Sequence, residues 1–423
     1  MILSFFVENF KIFKDGVSLS LYAGKSDKLR DFYVVEPFPK RHVLRMAMIY
    51  GPNASGKTTL VDALFLLKGL VVSPLSNKEE TFEDQVKPFM GDENRRREPT
   101  RFKIDFFSNG LIYSYYVAVD KYSVVEEELR TLKFCKVRSR SSLIYKRRTD
   151  KENRIALIEF GKGIKLGKSE KKSLEHNTLW NNTVLGGYLK TNLSVEVLDS
   201  AVSWFLDRLI VLKPYQPVWP FIIEKLEKGD IDKAALISLL RRADFRIEDF
   251  EIREREIPKD VLKLVEKLMD TSGPKEERKA PIFKELYLKH GTGSGAFYLP
   301  LMEESRGTVR FLELCCLMSL MEEASSLVVD EIEASLHPDL LEHFLVEFLE
   351  RKDKSQIIAT THYRELMKSE IFREDVLWFT EVKEDGSGDL YSLMDFSAEE
   401  RRKIRSIYNA YRIGKLGGVP QIL

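Results

Sequence analysis

The string GPNASGKT, Gly51 to Thr58, fits the spacing GxxxxGK[ST] at every fixed position. Glycines let consecutive backbone N–H groups curl around a phosphate, and a helix starting at the end of the loop adds partial positive charge. In that setting Lys57 reaches the β- and γ-phosphates and the Thr58 hydroxyl ligates Mg²⁺, while Gly51, Asn53, Ala54, Ser55, Gly56 and Thr59 complete the cradle. A second string, SLVVDE, is an apolar run ending in Asp330 and Glu331. Asp330 is placed to hold Mg²⁺, directly or through water, and Glu331 to polarise a water in line with the γ-phosphate. Taken alone, the same string also describes a buried strand meeting a solvated loop. A third run, QIIATTH, ends in His362, 32 residues after Asp330, where an imidazole can bond the γ-phosphate or the attacking water. A fourth, ESRGT, opens an apolar helix with Ser305 and Gly307. That turn is either a second anion site or a plain helix cap.

These groups need elements that bring them together. MAMIY, residues 46–50, reads as a strand leading into the loop, and Leu60, Leu64 and Leu67 recur at helical spacing after it. A helix over 309–322, a strand over 326–330, a helix over 338–350 and a strand over 356–361 give an α/β alternation. Strands are expected at 2–8 and 17–22, flanking a turn at Asp15 and Gly16. The β-branched and aromatic segment Arg101–Phe160 reads as an antiparallel β-meander. From Leu193 to Met269 the pattern reads as helical, with Val261, Leu264, Val265 and Leu268 as a stripe behind Pro258, and 271–280 follows as a polar linker. Gly291–Gly295 and the Asp385–Asp389 segment each read as hairpin turns. The chain therefore divides into 1–190 with the phosphate loop and meander, 191–280 as a helical insertion, 281–395 with the acidic and histidine strands, and 396–423 as a closing helix and tail.

Composition excludes several classes. The chain has 423 residues, 67 Lys and Arg against 66 Asp and Glu, and 43% hydrophobic residues. It is neither a globally basic coat protein nor an acidic disordered chain. Cys135, Cys315 and Cys316 include no CxxC pair, which argues against a disulfide scaffold and for a reducing, cytoplasmic setting. No stretch approaches the roughly 20 apolar residues that span a bilayer, so no membrane is expected. Met1–Val7 reads as a strand rather than a leader. Residues 136–172 hold 13 Lys and Arg against 4 Asp and Glu, a local net of +9. That concentration suits nucleic acid or an acidic partner, and equally a sheet edge guarded by lysine.

With these four strings in order, the sequence resembles ABC-type ATPases of the SMC/RecF-like branch. It is similar to stand-alone ATPases linked to restriction and phage defence, of the RloA, AriA (PARIS) and AbiL types. The opening FVENFK, Phe6 to Lys11, resembles that branch's first strand and Asn-Phe turn. Residues 86–89 and Glu128-Leu129 are similar to its connecting motifs, ESRGT to its variant signature, DEIEASLHP to its acidic strand and D-loop, and the tail from Tyr411 to Pro420 to the defence subgroup. The signature departs from LSGGQ, and His337 stands where many relatives carry an aspartate. Gln85 is a candidate for the connecting glutamine.

The resemblance implies an α/β P-loop ABC-type ATPase fold, ATP and Mg²⁺ as cofactors, and a homodimer or higher homo-oligomer. Each ATP would lie between Lys57 of one subunit and Ser305 and Gly307 of the other. It further implies a separate effector, a nuclease or toxin, because the 61 residues after His362 are too few for the nuclease domain of related OLD-type proteins. A RecF-like DNA-maintenance ATPase is the alternative.

Overall fold

The computed structural model describes residues 1–134, 139–214, 216–256, 282–292 and 295–419. The chain forms two compact units, one of Met1–Pro214, Met321–Glu333 and Val346–Leu423, the other of Tyr215–Leu320 and Ala334–Leu345. These units cut across the sequence divisions at 190, 280 and 395. The reason is that strands from both ends of the chain share one sheet, so a single core closes only when distant segments meet.

That sheet has six strands in the order Leu209–Leu212, Ser326–Val329, Gln356–Thr360, Met46–Tyr50, Leu377–Val382 and Gly388–Ser392. The first five run parallel, and the last returns as an antiparallel hairpin. Every residue of Met46–Tyr50, Ser326–Val329 and Gln356–Thr360 is buried. Unbroken apolar runs are what a parallel sheet covered on both faces requires. The register sets Ile49 beside Thr360 and Val329 beside Ala359, so the loops following these three strands leave from one edge of the sheet. Ligands bind at that edge in α/β proteins. The strand spans thus lie within one residue of the sequence reading.

In the same unit, seven antiparallel strands order as Ile155–Phe160, Ser139–Asp150, Val124–Phe134, Leu111–Val119, Thr100–Ser108, Ile2–Glu8 and Val17–Ser20. The five-strand meander is present, and the two N-terminal strands extend it through Val7 paired with Val17 and Phe102. Alternating burial along Thr100–Ser108 shows one face turned to the core. The turn after Ile2–Glu8 is fixed by Asn9, which is fully buried and left-handed at φ 54. Its amide donates to the carbonyls of Arg95 and Glu98 and accepts the Phe89 N–H at 3.1 Å.

The basic segment is less available than its composition suggests. Arg147 is fully buried and donates to the carbonyls of Val124, Leu179 and Trp180. Arg148, Lys151 and Arg154 pair with Glu126, Asp120 and Glu79, acids that lie outside the segment. Lys162, Lys165, Lys168 and Lys172 are exposed.

The second unit contains helices Trp219–Lys228, Lys233–Arg242 and Arg306–Ser319, with a three-stranded antiparallel sheet of Ile247–Glu256, Ile282–Thr292 and Gly295–Pro300. The helical reading of 193–269 is corrected at two places, since Leu209–Leu212 and Ile247–Glu256 are strands. In the second, Phe250 and Ile252 alternate with charged residues at the two-residue period of a half-buried strand, a signal that nearby helical spacing obscured. The stripe 261–268, Pro258 and the linker 271–280 lie outside the described residues. So do Cys135 and Pro420. Thr292 pairs with Gly295, as a hairpin at Gly291–Gly295 requires, although residues 293 and 294 are also outside the description. No described helix is long and apolar enough to cross a membrane.

Candidate functional site

The phosphate loop runs from the end of Met46–Tyr50 to the start of helix Lys57–Val72, as the motif demands. Packing enforces its two fixed glycines. A Cβ on Gly51 would lie 2.2 Å from Thr380 Oγ1 and 2.7 Å from the Thr380 carbonyl. A Cβ on Gly56 would lie 2.9 Å from the Phe13 ring, and Gly56 has φ +113. Ala54 is also left-handed, at φ 62, so the loop curls in the manner that turns successive N–H groups toward an anion. Ser55 braces the curl, with its hydroxyl bonded to the Pro52 carbonyl at 2.8 Å and to the Thr380 hydroxyl.

Lys57 is buried, and its ammonium donates to the carbonyls of Gly51 at 2.7 Å and Pro52 at 2.8 Å. Burial lowers its pKa to about 8, against the opposing pull of Asp330, Glu333 and Glu331. It is therefore mostly protonated at neutral pH. Thr58 is exposed one residue farther on.

The acidic and histidine strands are tied together past the end of their ladder. Asp330, 1% exposed, accepts the Thr360 hydroxyl at 2.6 Å. The same hydroxyl accepts the Glu331 N–H at 2.8 Å, which holds Glu331 in a left-handed turn at φ 48. Glu331 and His362 then line one cavity of about 360 Å³ with Asn53, Ala54, Gly56, Lys57, Thr58 and Thr59. Burial and the Lys57 charge lower the pKa of His362, in spite of Glu331 and Asp330, which favours the neutral imidazole.

The structure thus brings Asn53, Ala54, Gly56, Lys57, Thr58, Thr59, Glu331 and His362 to one cavity, with Gly51 and Ser55 in the same loop and Asp330 bonded beside it through Thr360. Ser305 and Gly307 lie in the second unit, where Ser305 caps helix Arg306–Ser319 by accepting the Thr308 N–H at 3.0 Å. The helix begins three residues before the apolar pattern suggested, because the cap, not the first apolar residue, sets its start. Gln85 lines a different cavity, beside Asp62 and Lys213. Sequence reasoning missed Thr360, Thr380 and Glu333. Glu333 accepts the His362 N–H, and its position two residues past Glu331 was the available signal.

The donor chemistry fits magnesium, since the Thr58 hydroxyl and the Asp330 carboxylate are hard oxygen ligands. Among the described residues no three His, Cys, Asp or Glu side chains gather as a metal site. A cation here would complete its shell with phosphate and water, and would supply charge neutralisation at the phosphates.

The family described as "AAA domain, putative AbiEii toxin, Type IV TA system" matches residues 46–367. The chain belongs to this AAA family. The match starts at the first residue of the phosphate-loop strand and ends five residues past His362, so it takes in the whole cavity above. Membership, the strand order and the loop together make this a P-loop ATPase domain of mixed α/β architecture with an appended antiparallel sheet. Assignment within the RloA, AriA or AbiL types is finer than membership of the AAA family reaches. Solved structures similar to the chain include heads of Smc proteins. One, an Smc head bound to the C-winged helix domain of ScpA, is 12% identical, with 95% of this chain and 99% of that chain covered and a TM-score of 0.46. The SMC head domain from Thermotoga maritima is 13% identical over 92% and 98%, with a TM-score of 0.42. An Smc head domain with an extended coiled coil, bound to the C-terminal domain of ScpA derived from Pyrococcus furiosus, is 14% identical over 95% and 98%, at 0.40. Among curated proteins none matches the chain.

Proposed function

We propose that this AAA-family protein binds and hydrolyses ATP as a switch that joins two copies of the chain and governs a separate effector in the cytoplasm. One observation carries the ATPase part: Lys57, Thr58, Glu331 and His362 line a single cavity at the carboxyl edge of the parallel sheet. Lys57 and the loop N–H groups hold the β- and γ-phosphates, and Thr58 and Asp330 hold Mg²⁺. Glu331 orients the attacking water, and neutral His362 bonds the γ-phosphate. Ser305 and Gly307 of a second copy meet the same phosphate, so that ATP joins the subunits and hydrolysis releases them.

The family description, with its putative toxin of a Type IV TA system, supports a toxin–antitoxin setting, while a nuclease as effector and a role in phage defence rest on the resemblance to the RloA, AriA and AbiL types. The exposed lysines 162, 165, 168 and 172 favour a second reading, a RecF-like ATPase that acts on DNA.

Purified protein with Mg²⁺ and ATP should release phosphate and dimerise by light scattering. Ser305→Arg should keep ATP binding in the monomer and lose the dimer, whereas a surviving ATP-dependent dimer refutes the trans site. Turnover raised by DNA in the chain alone favours the second reading, and co-purification of an effector from the native operon favours the first.

A further inference from the structure

Glu333 takes no part in the phosphate chemistry above, yet it is a carboxylic acid only 6% exposed. It is absent from the lining of the phosphate cavity, which Glu331, two residues earlier, reaches. Burying such a group is unfavourable unless a firm hydrogen bond compensates. Its Oε1 accepts the backbone N–H of His362.

The surrounding bonds show what this contact does. Ile332 N–H donates to the Thr360 carbonyl at 3.1 Å, and Glu331 N–H to the Thr360 hydroxyl. Thr361 N–H turns to the other side and donates to the Ile49 carbonyl of the phosphate-loop strand. His362 is therefore the first residue past the ladder, and the Glu333 carboxylate receives its N–H at the point where strand pairing ends.

We propose that Glu333 is a positioning residue for His362, holding its backbone so that the imidazole faces the phosphate cavity. What His362 does to ATP rests on the ATPase reading above, whereas the hold on its backbone rests on geometry alone. The hold needs an acceptor oxygen at the reach of a Glu side chain. Gln supplies one, Asp is one methylene short, and Ala has none.

The test measures ATP turnover and amide hydrogen exchange in the full-length protein. Glu333→Asp and Glu333→Ala should each lower kcat about tenfold, with KM for ATP moving less than about threefold because the phosphate loop is untouched. Glu333→Gln should keep most of kcat. In a His362→Ala background, Glu333→Ala should add less than about twofold, since a residue acting through His362 has nothing left to position. Without nucleotide, the His362 amide should exchange about tenfold faster in Glu333→Asp and at the wild-type rate in Glu333→Gln, with the amides of helix 57–72 unchanged.

An active Asp variant beside an inactive Gln variant would show that charge matters and overturn the proposal. So would an undiminished effect of Glu333→Ala on top of His362→Ala, or a His362 amide that exchanges freely in the wild type. A wild type with no turnover but a protected His362 amide would remove the ATPase reading and uphold the positioning contact. Exchange in the Asp and Gln variants still decides the matter if the Ala variant does not fold.

Discussion

Helices Lys57–Val72 and Arg306–Ser319 both begin at turns of glycine and hydroxyl residues, and they treat their first N–H groups in opposite ways. The first starts from Gly56, which offers no side-chain cap. The second starts from Ser305, whose hydroxyl accepts the Thr308 N–H and also bonds the Thr308 hydroxyl at 2.7 Å. A helix leaves its early N–H groups without internal partners, so the first helix needs acceptors from outside and the second supplies its own. Packing fixes the difference. The Phe13 ring leaves no room for a Cβ at Gly56, so no serine or aspartate can cap the first helix. A helix kept uncapped by its neighbours, with a buried ammonium at its first residue, is built for an anion. The second is a finished cap, and any phosphate it meets must share Ser305.

The largest test of this contrast is removal of the ammonium. Lys57→Ala should weaken ATP binding by more than about 100-fold, because the phosphates lose the buried Lys57 ammonium. Isothermal titration checks this, and retained affinity would mean the anion lies elsewhere. Next comes Glu331→Gln, which should bind ATP within about threefold of wild type and turn it over about 100-fold more slowly, through loss of water positioning. Near-normal turnover in a phosphate-release assay would assign the base to another residue.

The contrast also explains what the sequence made legible. The phosphate loop, the acidic strand and the histidine strand were readable because each couples a fixed motif to an apolar run of strand length, and a buried parallel sheet leaves that run uninterrupted. Thr360 was invisible because its value lies in a cross-strand bond to Asp330 and Glu331, and pairing is not written in local spacing. Thr380 was hidden for the same reason, since it acts by filling the space beside Gly51. In Ile247–Glu256, three apolar residues among seven charged ones gave too weak an alternation to stand against nearby helical spacing. The basic segment misled in another way: composition counts Arg147 as a surface charge, while the fold spends it on three backbone carbonyls.

A smaller effect follows from the state of Lys57. Its pKa of about 8, lowered from 10.5, means the folded protein without nucleotide loses this proton over a pH range where an unfolded chain would keep it. Burial of the charge therefore opposes folding below about pH 8, and that opposition fades as pH rises toward 10.5. Bound phosphate acts in the other direction and holds the proton on. ATP binding must then take up a proton above about pH 8, and affinity should fall there by up to about tenfold per pH unit. Measured in EDTA, where no metal contributes, affinity should decline as pH rises above about 8. A flat profile to pH 9 would place the ammonium in a more solvated position.

The smallest effect belongs to the capped helix. Ser305→Ala removes the acceptor for the Thr308 N–H and should cost about 1 kcal/mol, lowering the midpoint of thermal unfolding by about 1 °C without nucleotide. Ser305→Thr keeps a hydroxyl and should restore most of the loss. Differential scanning calorimetry on the three proteins decides between two accounts of the turn. If Ser305→Ala melts with the wild type, the Thr308 N–H has another acceptor and the Ser305 hydroxyl is available to a phosphate, as in an uncapped helix. The two helix starts would then differ only in how closely their neighbours pack, and Phe13 would be the residue that separates them.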